Sequence, residues 1–553
     1  STRLIRNSRF SRFSRFKNKH HPFAHSRPFV HSRLRASVPP CLRERKPAAS
    51  DKVDKVTDKA RDKVGGGGII RRIKDRADGL EYATITRISA DITENHKNRN
   101  FRAMLKNQPW LRTESDLFIE WLQARDEGRE VEHLREACFK VSDQAREGDR
   151  SVDTLAEELR LALLAAPVRA DFPYVEPDEL EAIRAARPPR RHDFSKARAA
   201  LTRESYRPRL EGAWGGRLAG RLLGNPVEGW LTSRLVPMLK ETDNYPLRRY
   251  MAWKDFSKDM IERYKILAEA CWVDTLHGTL IADDDSNYTV LAMMIMERYG
   301  PGFTSDDVAD AWVSWMPLLC ACTAERVAYR NIAQGMLPPE TATWRNPYRE
   351  WIGAQIRGDF FGYVRPGDPE AAAALAWRDA RVSHIKNGIY GEMFVAATLA
   401  AAAVEDDPVT VFEAGLDEIP AKCRLREDVS RVLEWFREGI TGEEAIGRVH
   451  KRYDESSRHD WCLATSNAML VAVAVLFAGG DFGRAIGLGV QAGFDTDCNG
   501  ATAGSIMGML VGRDGIPAQW LEPFGGTVMT SFRAWTTITM EQFLEHTLKL
   551  ALP

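Results

Sequence analysis

Two runs of carboxylates, Asp283-Asp284-Asp285-Ser286 and Asp495-Thr496-Asp497-Cys498-Asn499, lie some two hundred residues apart, and each leads straight into a segment patterned as a buried helix. Acidic side chains beside apolar helices are costly unless a cation neutralises them. Any fold of this chain therefore has to bring a cation to each run, and hard divalent ions with oxygen ligands are the usual answer. After Ser286 the stretch Tyr288 to Met296 is apolar nearly all round. That places the first run at a helix N-terminus, where Asp and Ser also serve as caps. Three consecutive Asp exceed what a cap needs, because one side chain satisfies the free N–H groups and the others repel each other. In the second run Asp495 and Asp497 are two apart, a spacing that in extended backbone aims both side chains the same way. The small residues Gly500 to Gly508 that follow permit close approach of another helix or a ligand. Either run alone is open to a bland reading as a cap or a solvated turn; taken together they favour a metal site.

Helical periodicity dominates from Leu201 onward. It marks Asp259 to Glu269, Tyr288 to Arg298, Asp306 to Trp315, Ala371 to Ala380, Met393 to Ala403, Arg426 to Glu438, Ala468 to Phe477, Phe482 to Gln491 and Met540 to Leu548. An α/β alternation would need β-branched runs between these segments, so the predicted fold is all-α: a multi-helix domain over residues 205–553. Residues 69–180 read as a smaller helical region, with heptad-like apolar positions in Leu117 to Leu122 and Leu155 to Leu164. A lid, a docking module and a structural brace are equally open roles for it. Pro188, Pro189 and the basic run Arg187 to Arg191 mark 181–204 as a linker. Residues 1–68 carry three tandem Ser-Arg-Phe units from Ser8, an Asp-Lys-Val-like repeat from Asp51 and four glycines from Gly65. They read as a disordered basic leader and Gly linker. A transit peptide, a nucleic-acid-binding tail and a cloning remnant are its alternatives.

Over 553 residues the hydrophobic share of 44% and charged share of 28% are ordinary for a water-exposed globular chain. A net charge of +1 argues against a stable nucleic-acid complex. The longest apolar run, Ala468 to Gly479, falls short of the ~20 residues a spanning helix needs, so no membrane association is expected. Eight scattered cysteines without a Cys-x-x-Cys pair argue against a disulfide framework or zinc module. They point to a reducing compartment, with a cytoplasmic monomer expected, or organellar import if the basic leader is native.

The carboxylate runs and two further segments together resemble the ADP-ribosylglycohydrolase family. The matching segments, in order, are Gly212-Ala-Trp-Gly-Gly-Arg-Leu-Ala-Gly-Arg-Leu-Leu-Gly-Asn-Pro-Val-Glu228, Asp283 to Ser286, Ser383-His384 with Asn387-Gly388, and Gly493 to Thr502. The resemblance implies an all-helical domain with two Mg²⁺ or Mn²⁺ ions, held by Asp283, Asp284, Asp285, Asp495, Asp497 and Cys498. It implies catalytic carboxylates at Glu228, Asp284 and Asp285, one of which accepts a proton from the attacking water. It also implies a ribose contact at His384, and diphosphate contacts at Gly353, Gln355 and Arg357. Asn387, Phe494 and Asn499 complete the implied substrate contacts. Four positions depart from the family pattern: Asp283 replaces a hydroxyl, Cys498 a hard oxygen ligand, Arg221 an aspartate and Phe494 a glycine. The expected activity is cleavage at the anomeric carbon of an ADP-ribosyl group on a protein side chain or small molecule. Hydrolysis of another N- or O-ribosyl bond, as in a nucleoside or nucleotide, and a non-catalytic, crystallin-like role are the alternatives.

Overall fold

In the computed structural model, which describes residues 110–552, nearly every regular element is helical, α-helices joined by short 3₁₀ turns. One two-stranded antiparallel ribbon, β1 (Thr527–Met529) with β2 (Thr537–Thr539), pairs Val528 with Ile538. The all-α expectation holds. The leader 1–68 and the part of the 69–180 region before Trp110 lie outside the described residues. Five helices position the site: α1 (Arg203–Gly224), α2 (Asp284–Tyr299), α3 (Lys386–Ala402), α4 (Ala464–Leu476) and α5 (Thr496–Val511).

The centre of the fold is set by glycine spacing. α1 starts at a capping box, in which Thr202 and Ser205 each accept from the other's backbone N–H. It then carries Gly212, Gly216, Gly220 and Gly224, each four residues from the next and so on one helix face. α5 answers with Thr496, Gly500, Gly504 and Gly508. A Cβ on Gly212, Gly216, Gly220 or Gly224 would lie 2.1, 2.1, 1.8 or 2.2 Å from the carbonyl oxygen of Gly508, Gly504, Gly500 or Thr496 in turn. The two backbones therefore touch along an antiparallel seam that admits no side chain. Thr496 closes it by donating its hydroxyl to the Gly224 carbonyl at 3.0 Å. An antiparallel seam joins the C-terminal end of α1 to the N-terminal end of α5, and that is where Glu228 meets the second carboxylate run.

α3 and α4 have no polar face. Asn387 to Ala402 and the whole of α4 are buried, so these helices form the interior on which the others pack. α3 begins seven residues before the predicted Met393, because Asn387, Gly388, Tyr390 and Glu392 are small or polar yet enclosed. The helix expected over Asp259 to Glu269 ends at Tyr264, where Lys265 turns left-handed at φ 48°.

Helices Leu117–Asp126, Arg135–Arg146 and Asp153–Ala165 share a small core of Leu117, Trp121, Cys138, Val141, Leu159 and Leu163. Buried ion pairs tie them to the larger core: Arg349 reaches Glu120 at 2.5 Å and Glu127 at 2.7 Å, and Lys386 reaches Glu127 at 3.2 Å. Losing one partner of such a pair strands a buried charge, at a cost of about 3–5 kcal/mol. Residues 181–204, expected to be a plain linker, contain helical turns at Leu180–Ala186 and Ser195–Ala200, and bury Ile183 and Phe194 in the main core. None of the described helices is long and apolar enough to cross a membrane.

Candidate metal centre

Asp283 is the N-cap of α2, and its Oδ1 accepts the Asp285 N–H at 3.1 Å. With the cap role filled, Asp284 and Asp285 are left to do something else. At α5 the backbone turns helical at Thr496, with Asp495 as N-cap and Asp497 in the first turn. The extended backbone predicted for Asp495 to Asp497 is thus corrected. The two carboxylates converge because both sit at a helix end, where unsatisfied N–H groups favour negative charge.

The two runs meet. Ligand atoms of Asp285, Asp497 and Cys498 lie within 4.8 Å of one another; so do those of Glu228, Asp495 and Asp497, and those of Asp283, Asp284 and Asp285. Asp497 links the first two sets and Asp285 joins the first to the third. Cys498 faces the acids instead of pointing only into apolar core. Asp285 Oδ2, Asp495 Oδ1 and Asp497 Oδ1 are buried without a hydrogen-bond partner among the described residues. Orphaned, enclosed carboxylate oxygens at this spacing are a donor set that fits a hard divalent cation.

Electrostatics agree with the geometry. Burial, then the like charges of Asp495, Asp283 and Asp285, push the Glu228 carboxyl up to about 8. Burial raises Asp285 to about 7, against the pull of Arg217. Asp284 and Asp497 are driven well above the carboxylate range, first by burial and then by neighbouring acids. Metal-free, the site holds protons that an incoming cation must displace. A carboxyl raised on folding leaves the native state holding more protons than the unfolded chain, so metal-free stability falls as pH climbs from about 4 through about 8. The gain in melting temperature on adding Mn²⁺ should therefore be larger at pH 8 than at pH 6, with proton release seen as buffer-dependent calorimetric heats. Equal gains at both pH values would contradict the shifts.

Several residues that shape the site were not singled out from sequence. Arg217 donates to the Asp285 carbonyl at 2.8 Å, to its Oδ1 at 3.2 Å and to the Ile356 carbonyl at 2.7 Å, and pairs with Asp359 at 2.9 Å. Asn225 donates to Asp283 Oδ2 at 2.9 Å. Cys462 donates to Asp495 Oδ2 at 3.5 Å, and Asn467 Oδ1 accepts from Asn499 Nδ2 at 2.8 Å. The signal for Arg217 was present: it stands one helical turn before Arg221 on a Gly-rich helix.

The expected substrate contacts fall in two places. Phe494 and Asn499 flank the acids. Phe494 takes φ 58°, a left-handed conformation that strains a bulky residue and clusters at functional sites. Asn499 is buried, braced by Asn467. Gly353, Gln355, Arg357, His384 and Asn387, the expected ribose and diphosphate contacts, are all buried. Arg357 is locked by Glu325, Asp379 and Glu392. Gly353 makes room for Glu325, whose carboxylate a Cβ would meet at 2.3 Å. Gln355 packs against Gly391. His384 Nδ1 bonds Ser383 Oγ at 2.8 Å, and burial pushes its pKa well below the usual imidazole value. Asn387 donates to Glu176 at 2.9 Å and Glu350 at 3.1 Å. Asn387 is enclosed because it lies in the first turn of α3, a helix buried on all sides.

No curated protein matches the chain. A solved structure described as an ADP-ribosylglycohydrolase-related protein complex is 20% identical, at a TM-score of 0.39, over 63% of this chain and 98% of that one. The ADP-ribosylglycohydrolase family profile matches residues 202–548, which contain α1, both carboxylate runs and the seam that joins them. The chain belongs to the ADP-ribosylglycohydrolase family.

Proposed function

We propose that this chain is a divalent-cation-dependent hydrolase of the bond between the anomeric carbon of an ADP-ribosyl group and a nitrogen or oxygen leaving group. One observation carries the reading: Glu228, Asp283 to Asp285, Asp495 and Asp497 converge with orphaned oxygens at the ends of three helices. Family membership makes the chain a glycohydrolase; the cation and the substrate are the proposal. Mg²⁺ or Mn²⁺, when bound, supplies positive charge for substrate hydroxyls and for the developing charges of the reaction.

The chain's own residues do the rest. Glu228 follows α1 at the solvent side of the cluster, its stem exposed and its carboxyl drawn in among the acids; in this reading a cluster carboxylate, Glu228 or Asp284, takes the proton of the water that attacks the anomeric carbon. Asp495 and Asp497 hold negative charge at the base of the site, fixed by the first turn of α5. A cavity of about 270 Å³ opens alongside, lined by Gly229, Trp230, Glu455, Arg458, Trp461 and Phe494. Its aromatic walls suit a planar base, and Arg458 offers a cation for phosphate. Glu228 immediately precedes the lining residue Gly229 and Asp495 immediately follows Phe494, so the cavity adjoins the acid cluster through both chain neighbours.

The test is product release from a panel of ADP-ribosylated arginine, serine and small-molecule compounds, with nucleosides included, with Mg²⁺, with Mn²⁺ and with chelator. Metal-dependent release of ADP-ribose is the expected outcome. Release of ribose or a free base would move the substrate to another ribosyl bond, and turnover undiminished by chelator would end the cation reading.

A further inference from the structure

The three ligand sets at the centre are not equivalent, because two of them already have a cation of their own. α1 carries Arg217 and Arg221 one turn apart on one face. Arg221 is fully buried, with Nε 3.4 Å from Asp283 Oδ1 and Nη1 3.5 Å from Ser286 Oγ, while its Nε and Nη2 have no hydrogen-bond partner among the described residues. Guanidinium does not deprotonate in proteins, so a fixed positive charge is directed at the α2 end of the site. Asp283 is correspondingly engaged: Oδ1 takes the Asp285 N–H and faces Arg221, and Oδ2 takes Asn225. Arg217 engages Asp285 Oδ1, and so stands beside the set of Asp285, Asp497 and Cys498. The remaining set, Glu228, Asp495 and Asp497, has no ion pair to an arginine or lysine among the described residues. It is also made only of oxygens, which hard divalent ions prefer to a thiol.

Resting on the cation-dependent reading above, we propose that Arg221 supplies the positive charge at the α2 end of this centre in place of a metal ion, and that the chain binds a single divalent ion, on Glu228, Asp495 and Asp497. A second divalent ion at Asp283 would meet a like charge at contact distance and find both oxygens of that carboxylate taken.

Calorimetric titration of Mn²⁺ into the full chain, with low-temperature electron paramagnetic resonance of the loaded protein, tests this without reference to turnover. The expected result is one ion per chain and the six-line spectrum of an isolated Mn²⁺. Arg221→Asp should raise the stoichiometry to two and replace the isolated signal by that of a spin-coupled pair. Two ions with a coupled spectrum in the wild type would overturn the inference and leave the cation-dependent reading standing; no bound ion would overturn that reading itself. Should Arg221→Asp not fold, Asp495→Asn is the second variant. Its loss of the single bound ion supports the placement, and retention at unchanged affinity overturns it.

Discussion

Asp497→Asn is expected to lower turnover by more than about 100-fold, since changes one step removed from a metal ligand already cost 10- to 100-fold in affinity or activity. The exchange keeps side-chain volume and removes one negative charge from the residue that two ligand sets share. Stability should move the other way. Asp497 is held far above the ordinary carboxylate range, first by burial and then by Glu228 and Asp495, so in the metal-free protein above pH 5 its charge opposes folding. The metal-free Asn variant should therefore melt higher than the metal-free parent while turning over far more slowly, a trade characteristic of functional sites. Steady-state rates at limiting Mg²⁺, beside melting curves in chelator, measure both. Unchanged turnover would show that the carboxylate is structural, and a lower melting point would show that the cluster is not repulsive.

Gly220→Val should be the most damaging single change outside the acids. The first added atom would lie 1.8 Å from the Gly500 carbonyl oxygen, and that oxygen belongs to helix backbone that cannot rotate away. α1 and α5 must part, at an expected cost of at least about 3 kcal/mol, the upper end of overpacking penalties. Their separation would carry Glu228 away from Asp495 and Asp497, so divalent-ion affinity should fall together with stability. Gly447→Ala is the matched control. Gly447 lies on an exposed helix face with nothing within 4 Å of its would-be Cβ, so alanine there should be neutral or stabilising by up to about 1 kcal/mol. Thermal melts and Mn²⁺ titrations of both variants decide the matter; a Gly220→Val protein with parental melting temperature and affinity would refute the seam.

Both large effects trace to features visible in the chain. Helix class was legible because apolar residues recur with the helical period and no β-branched alternation competes. The carboxylate runs were legible because acids beside apolar helices demand a partner wherever they end up. The small residues of α5 announced a close neighbour, although not which one. Interior residues were harder: His384, Asn387 and Arg357 look the same in sequence whether they are exposed or enclosed, and only the packing of the fold shows that all three are buried. The backbone at Asp495 to Asp497 is not legible in the sequence, because a two-residue spacing fits both an extended strand and a helix N-terminus. A linear sequence has no distances between its parts, so the pairing of α1 with α5, the sharing of Asp497 between two ligand sets and the opposition of Arg221 to Asp283 were decided by tertiary structure alone. By itself the sequence determined that carboxylates would need cations, because charge and burial are local properties; the fold decided which of those cations is an arginine, because that depends on which helix face the acids meet.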